Sequence, residues 1–116
     1  MSVNHHINYL EFYANDLTKI KEFYSSVFGW KFTDYGEMYT AFTNSGLEGG
    51  FQWTDDEIVN GVLVILYHEQ LEETKEKVIK FGGKISEEIF SFPGGRRFHF
   101  LDPSGNELAV WSEVEE

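Results

Sequence analysis

Two stretches of this chain repeat one another at a fixed distance, and no other feature limits its fold as strongly. Leu17-x-x-x-Lys21-Glu22 returns as Leu71-x-x-x-Lys75-Glu76, a shift of 54 positions (71 − 17) that also carries Gly29 onto Gly83. A helix recurring at that period implies a duplicated supersecondary unit. Between the copies, Thr54 to Asn60 is short, polar and acidic, which suits a connection inside one compact unit. The 116 residues therefore read as a single domain over 1–116. Its modules span about 5–54 and about 61–112, and a core at this size hides roughly two thirds of the unfolded surface.

Each copy has the same order of elements. Ile7, Tyr9, Glu11 and Tyr13 alternate with Leu10, Phe12 and Ala14, the period of a strand. Asp16 follows as a helix N-cap candidate. Leu17, Ile20, Phe23, Tyr24, Val27 and Phe28 then form one apolar stripe, and Gly29 can take the left-handed cap conformation. Three short β-like runs, Trp30–Phe32, Met38–Phe42 and Phe51–Trp53, complete a β-α-β-β-β unit. In the second copy Gly61–Tyr67 reads as a strand, and a helix runs from Leu71 through Lys75, Val78 and Phe81 to Gly82-Gly83. Strands follow from Lys84, over Arg96–Leu101 and over Glu107–Trp111, the last two joined by Asp102-Pro103-Ser104-Gly105, a type I turn pattern. Pro93-Gly94-Gly95-Arg96 reads as a hairpin connection or as a loop over a cavity mouth. Glu72-Glu73, Glu87-Glu88 and Glu113–Glu116 read as solvated charge.

Composition excludes several function classes. With 20 acidic and 9 basic residues the formal charge is −11, a surface that repels phosphate backbones and so disfavours nucleic acid. The absence of cysteine removes disulfides, thiolate ligands and a cysteine nucleophile together. No run approaches the roughly 18 to 20 apolar residues of a membrane span, and the N-terminus lacks a signal-peptide pattern. The expectation is a cytoplasmic protein with no membrane partner. Aromatic residues make up 17% of the chain, enough to line a cavity as well as fill a core.

The run from Ile7 to Leu17, then Lys21-Glu22-Phe23-Tyr24 and Phe28-Gly29-Trp30, resembles the opening of glyoxalase/bleomycin-resistance/dioxygenase (vicinal oxygen chelate) proteins. Gly82-Gly83-Lys84 and the closing Phe100-Leu101-Asp102-Pro103-Ser104-Gly105-Asn106-Glu107-Leu108 fit the same family, so the resemblance covers essentially the whole chain. It implies an α+β fold in which two βαβββ modules form a curved mixed sheet around a cup-shaped cavity, helices outside. Alternation then turns Leu10, Phe12, Phe98 and Phe100 toward the helices, and Tyr9, Glu11, Tyr13, Arg97 and His99 toward the cup. A ferredoxin-like α+β sandwich is the alternative, but three strands after each helix and the DPSG turn count against it.

Metal-using members of that family hold a divalent ion with four ligands, which polarises adjacent substrate oxygens. The resemblance places those four positions at Tyr9, near Gly50, at Leu63 and at Ala109. Leucine and alanine cannot ligate, and a neutral tyrosine is a poor ligand, so no cofactor is expected. A rearranged site would have to draw on His5, His6, His68, His99 or Glu11. As pocket chemistry, Glu11 or His99 can serve as general base and Arg97 as oxyanion stabiliser. Tyr9, Tyr13, Gln52, Leu63, Tyr67 and Trp111 are the substrate-binding candidates. The blander reading is a Glu11–Arg97 ion pair and a half-exposed strand histidine.

Three functions remain open. The first is a metal-independent binder of a small cationic or aromatic molecule, as in antibiotic-sequestering relatives. The second is a lyase or isomerase (lactoylglutathione-lyase-like) working through Glu11, His99 and Arg97. The third is a domain without a small ligand. Cups of this family are often completed by a partner, so a homodimer is compatible with the resemblance.

Overall fold

A computed structural model describes residues 3–113, so Met1, Ser2 and the acidic Val114–Glu116 lie outside the described residues. The elements run β1 (Leu10–Ala14), α1 (Leu17–Phe28), β2 (Lys31–Asp34), β3 (Tyr39–Thr43) and β4 (Gly49–Trp53). They repeat as β5 (Val64–Tyr67), α2 (Leu71–Lys80), β6 (Lys84–Phe92), β7 (Gly95–Leu101) and β8 (Glu107–Glu113). Each module is a four-stranded mixed sheet, ordered β1-β4-β3-β2 in the first and β5-β8-β7-β6 in the second. The expected α+β arrangement of two βαβββ modules is the observed one.

Pairing registers show how closely the modules match. Leu10 pairs with Gly49 and Glu11 with Gly50 across the parallel β1–β4 ladder. Val64 pairs with Leu108 and Ile65 with Ala109 across β5–β8. The shift of 54 thus carries β1 onto β5 (10 + 54 = 64) and makes Gly50 and Ala109 equivalent. At the helix ends the match slips. Gly29 takes the left-handed conformation after α1, but after α2 that role falls to Gly82, with φ of 105°. Gly82 and Gly83 donate to the carbonyls of Ile79 and Val78, the Schellman pattern. Gly83 is needed for a different reason: a Cβ there would lie 2.6 Å from Val78 Cγ1.

Two strands are shorter than their alternation suggests. β1 begins at Leu10 rather than Ile7, and β5 at Val64 rather than Gly61. The paired registers begin at Leu10 with Gly49 and at Val64 with Leu108, so the residues upstream have β-like side chains but join no ladder. Alternation reports which face a side chain prefers, whereas a strand also needs a neighbour. Pro93-Gly94 forms a plain two-residue connection between the paired Phe92 and Gly95.

One core serves both modules. Asp16 accepts from the amide of Lys19 and starts α1, a cap typically worth about 1 kcal/mol. The stripe Ile20, Phe23, Tyr24 and Val27 is buried, each large side chain contributing roughly 1.5–3 kcal/mol of transfer free energy. Phe23 reaches Phe100 on β7, ring centroids 5.9 Å apart, while Tyr24 stacks on Trp30 at 4.6 Å and meets Phe51 at 5.3 Å. Helix α1 therefore touches both sheets.

The turn after β7 joins the modules through polar groups. Asp102 is buried, and its Oδ1 accepts from the amides of Ser104, Gly105 and Asn106. Its Oδ2 accepts from the Tyr24 hydroxyl at 2.8 Å and from Asn106 Nδ2 at 3.0 Å. Asn106 Nδ2 also donates to the carbonyl of Tyr13 on β1, and Asn60 holds Gly105 and Glu107. Burial pushes the Asp102 carboxyl up, and the hydrogen bonds from Tyr24, Asn106 and Ser104 oppose that shift. Burial, then Asp102 itself, raises the Tyr24 hydroxyl well above its usual range, so it remains a donor.

Candidate functional site

The faces turned away from the helices carry the candidate residues, and they divide into two groups, one per sheet. On the first sheet, Glu11 and Tyr13 of β1 lie opposite Gly50 and Gln52 of β4, which in turn face Ala41 and Tyr39 of β3. The Tyr39 hydroxyl is 2.5 Å from that of Tyr9 and donates to Glu11 Oε1 at 3.1 Å. Partial burial, then these two neighbours, raise the Tyr39 phenol well above its usual range, so it stays neutral. Its ring occupies the space a side chain at position 50 would need: a Cβ on Gly50 would lie 2.2 Å from the Tyr39 oxygen. Gln52 Nε2 turns back to the carbonyls of Met38 and Trp53.

On the second sheet, Arg97 of β7 faces Trp111 of β8 and Phe90 of β6, and His99 faces Ala109 and Glu87. The Arg97 guanidinium carbon lies 5.4 Å from the Phe90 ring centroid and 5.6 Å from that of Phe92. Such contacts hold a cation by the ring quadrupole. Trp111 packs edge-on against Tyr67 at 5.2 Å and tilts against Phe92 at 6.3 Å. His99 Nδ1 is 3.2 Å from Glu107 Oε2, which also accepts from the Ser86 hydroxyl. Arg97 Nε and His99 Nε2 are both buried without a hydrogen-bond partner.

The two groups are not one constellation. Glu11 is engaged by Tyr39, and no ion pair joins it to Arg97 among the described residues. Arg97 and His99 belong to the second sheet, with Tyr67 and Trp111. The cavities divide the same way. One of about 550 Å³ lies beside β5 and α1 and is mainly apolar, lined by Leu10, Phe28, Leu47, Leu66 and Tyr67 among others. Glu11 and Tyr13 border a second of about 320 Å³ with Val59 and Val62, and Leu63 a shallower one with Glu107. Arg97, Trp111, Phe92 and Ile65 enclose a fourth of about 300 Å³. Sequence reasoning passed over Tyr39, Glu107, Phe90 and Phe92. Glu107 alternates with Leu108 along the last strand and so shares a face with Trp111, but the contacts of the others depend on strand neighbours.

The four positions at which the resemblance expects metal ligands offer poor donors. Tyr9 spends its hydroxyl on Tyr39, Gly50 is overlaid by the Tyr39 ring, and Leu63 and Ala109 carry no donor atom. This donor set does not fit a divalent cation, for which structural and catalytic sites supply at least three converging ligands. Among the described residues no three His, Cys, Asp or Glu side chains converge elsewhere, and His68 Nδ1 is occupied by the amide of Gln70. No helix of the described residues is long and apolar enough to cross a membrane.

Comparison with known proteins gives a consistent answer. Residues 6–110 match the model of a family described as the Glyoxalase/Bleomycin resistance protein/Dioxygenase superfamily. No curated protein matches the sequence. Among solved structures, the genomically encoded fosfomycin resistance protein FosX from Listeria monocytogenes superposes with a TM-score of 0.81 at 16% identity, covering 97% of this chain and 96% of that one. A glyoxalase/bleomycin resistance protein/dioxygenase family enzyme from Burkholderia phytofirmans PsJN gives 0.80 at 13% identity, covering 92% and 98%. A glyoxalase-related enzyme from Fulvimarina pelagi gives 0.80 at 16% identity, covering 94% and 88%. At these identities the structures speak for the shared fold.

Proposed function

This chain belongs to the Glyoxalase/Bleomycin resistance protein/Dioxygenase superfamily, and on that premise we propose that it binds a small organic molecule in its cup without a resident divalent metal. The observation that carries this reading is the replacement of the metal positions by a tyrosine, a glycine, a leucine and an alanine. Aromatic and polar side chains border the neighbouring cavities. A homodimer belongs to the same reading. Tyr9, Tyr13, Ile65 and Tyr67 are exposed on or beside β1 and β5, where a second copy would find apolar surface.

The test is the metal content of chelator-treated, purified protein, paired with melting curves in nickel, zinc, manganese and iron. The expected result is substoichiometric metal and a melting temperature that no cation raises. Stoichiometric binding with a clear stabilisation would overturn the metal-free reading.

One observation favours a second reading, a lyase or isomerase. The Glu107 carboxylate sits at Nδ1 of His99, an arrangement that fixes the imidazole tautomer and leaves Nε2 as the proton-accepting nitrogen. Glu11 cannot share that step by direct contact, since it is bonded to Tyr39 on the other sheet. If the dyad turns over a substrate found by screening, Glu107→Gln is expected to lower kcat by roughly tenfold or more with little change in KM. An unchanged kcat would remove His99 from the chemistry.

A further inference from the structure

The charge of −11 suggests a ligand of positive or neutral character, yet the second sheet carries a half-buried cation without a counter-ion among the described residues. Lys21, Lys75 and Arg96 each pair with a carboxylate, respectively Asp34, Glu88 and Glu72. Among the described residues Arg97 has no carboxylate within ion-pair distance; Lys19, Lys31, Lys77, Lys80 and Lys84 form no ion pair either, but they are exposed, whereas Arg97 is half-buried. Its guanidinium is instead held at the rings of Phe90 and Phe92, and its Nε is buried with nothing to donate to. Two residues along the same face, His99 Nε2 is the second buried nitrogen without a partner.

The internal repeat makes the contrast sharper. Tyr13 and Tyr67 are equivalent (13 + 54 = 67), so their partners Gln52 and Trp111 are too. The next strand then matches Tyr39, opposite Gln52, with Arg97, opposite Trp111. Tyr39 finds Tyr9 and Glu11 inside the chain. Among the described residues Arg97 finds only rings. The first sheet satisfies its central polar group, and the second leaves its own lining a recess of about 300 Å³ together with Ile65, Phe92 and Trp111.

We propose that this recess is a carboxylate subsite, with Arg97 as anchor, that takes a ligand carrying a planar aromatic acid. A guanidinium presents paired N–H donors that match the two oxygens of a carboxylate, and the indole and phenyl walls accept a flat ring. The global negative charge does not oppose this at close range, because exposed charges are screened beyond about 8 Å at physiological salt. The proposal rests on the cup-binding reading and narrows it to an anionic ligand class.

The test uses three probes with one ring and different charge: benzoate, benzamide and benzamidine. Each is titrated into the whole protein while the Arg97 Nε–Hε and Trp111 indole N–H signals are followed by NMR. Benzoate is expected to bind at least tenfold more tightly than benzamide, with benzamidine weakest. Arg97→Gln is expected to lose that tenfold preference while its affinity for benzamide stays unchanged, and Arg97→Lys to keep part of it. Equal affinities for benzoate and benzamide in the native protein would overturn the carboxylate assignment, even if Arg97→Gln did not fold, and would leave the cup reading standing. Benzoate binding that survives Arg97→Gln would do the same. If none of the three probes shifts the Trp111 signal, the subsite and the cup reading both fail.

Discussion

Replacing Asp102 by alanine is expected to cost about 3–5 kcal/mol of folding stability, because it strips the acceptor from a buried hydrogen-bonded network. The Tyr24 hydroxyl, Asn106 Nδ2 and the amides of Ser104, Gly105 and Asn106 all converge on that carboxylate. Of the three amides, that of Gly105 keeps a second acceptor, the Asp102 carbonyl of the turn. The damage would not stay local. Asn106 is held by Asp102 while it reaches Tyr13 on β1, and Tyr24 belongs to the helix that touches both sheets. Thermal melting is expected to show a drop on the order of 15 °C, from the usual scaling of a few degrees per kcal/mol. Tyr24→Phe removes one donor to the buried Asp102 carboxyl and keeps the ring, so about 1–3 kcal/mol is expected in urea unfolding. If Asp102→Ala cost less than Tyr24→Phe, the network would not be what ties the modules together.

Gly49→Val is expected to be equally severe, by crowding rather than by loss of an interaction. Gly49 lies in β4 between β1 and β3, paired with Leu10 on one side and Phe42 on the other. A Cβ there would sit 2.1 Å from the Leu10 carbonyl oxygen and 2.5 Å from Phe42 Cζ. The oxygen belongs to the parallel ladder, and Phe42 is a buried ring stacked on Trp30, so neither can step aside cheaply. Overpacking of this kind costs about 3 kcal/mol and sometimes folding altogether. Gly61→Ala is the control, since nothing lies within 4 Å of that position and its φ is ordinary. Its stability should stay within about 0.5–1 kcal/mol of the parent. Denaturant midpoints of the two variants measured side by side decide the matter. Similar midpoints would mean that β1 and β4 are not packed as closely as described.

Both effects bear on the site, because β1 and β4 present Glu11 and Gln52, while the Asp102 turn sets β7 against β8. A recess bounded by Arg97 and Trp111 depends on the β7–β8 register that this turn begins. Asp102→Ala protein that still folds is therefore expected to bind probes of the second sheet less well, although Asp102 is not among the residues that line the recess.

Much of this was already legible in the chain. The repeat at a shift of 54, the strand–helix–strand order and the DPSG turn follow from local chemistry. Alternation decides which side chains face away from the helices, a glycine can take the left-handed cap, and aspartate followed by proline favours a turn. The same local logic put Glu11, Arg97 and His99 on the open faces, and the side chains of Leu63 and Ala109 have no lone pair to offer a metal. Partnership was not legible. That Tyr39 covers Gly50 and takes Glu11, that Phe90 and Phe92 receive Arg97, and that Glu107 meets His99 are contacts between strands. They are set by which strands are neighbours and by the β6 irregularities between Ile85 and Phe90. A single sequence states the face of each strand but not its register, and side chains meet by register. For the same reason Ile7 and Gly61 looked like strand, although only Leu10 and Val64 onward have a ladder to join.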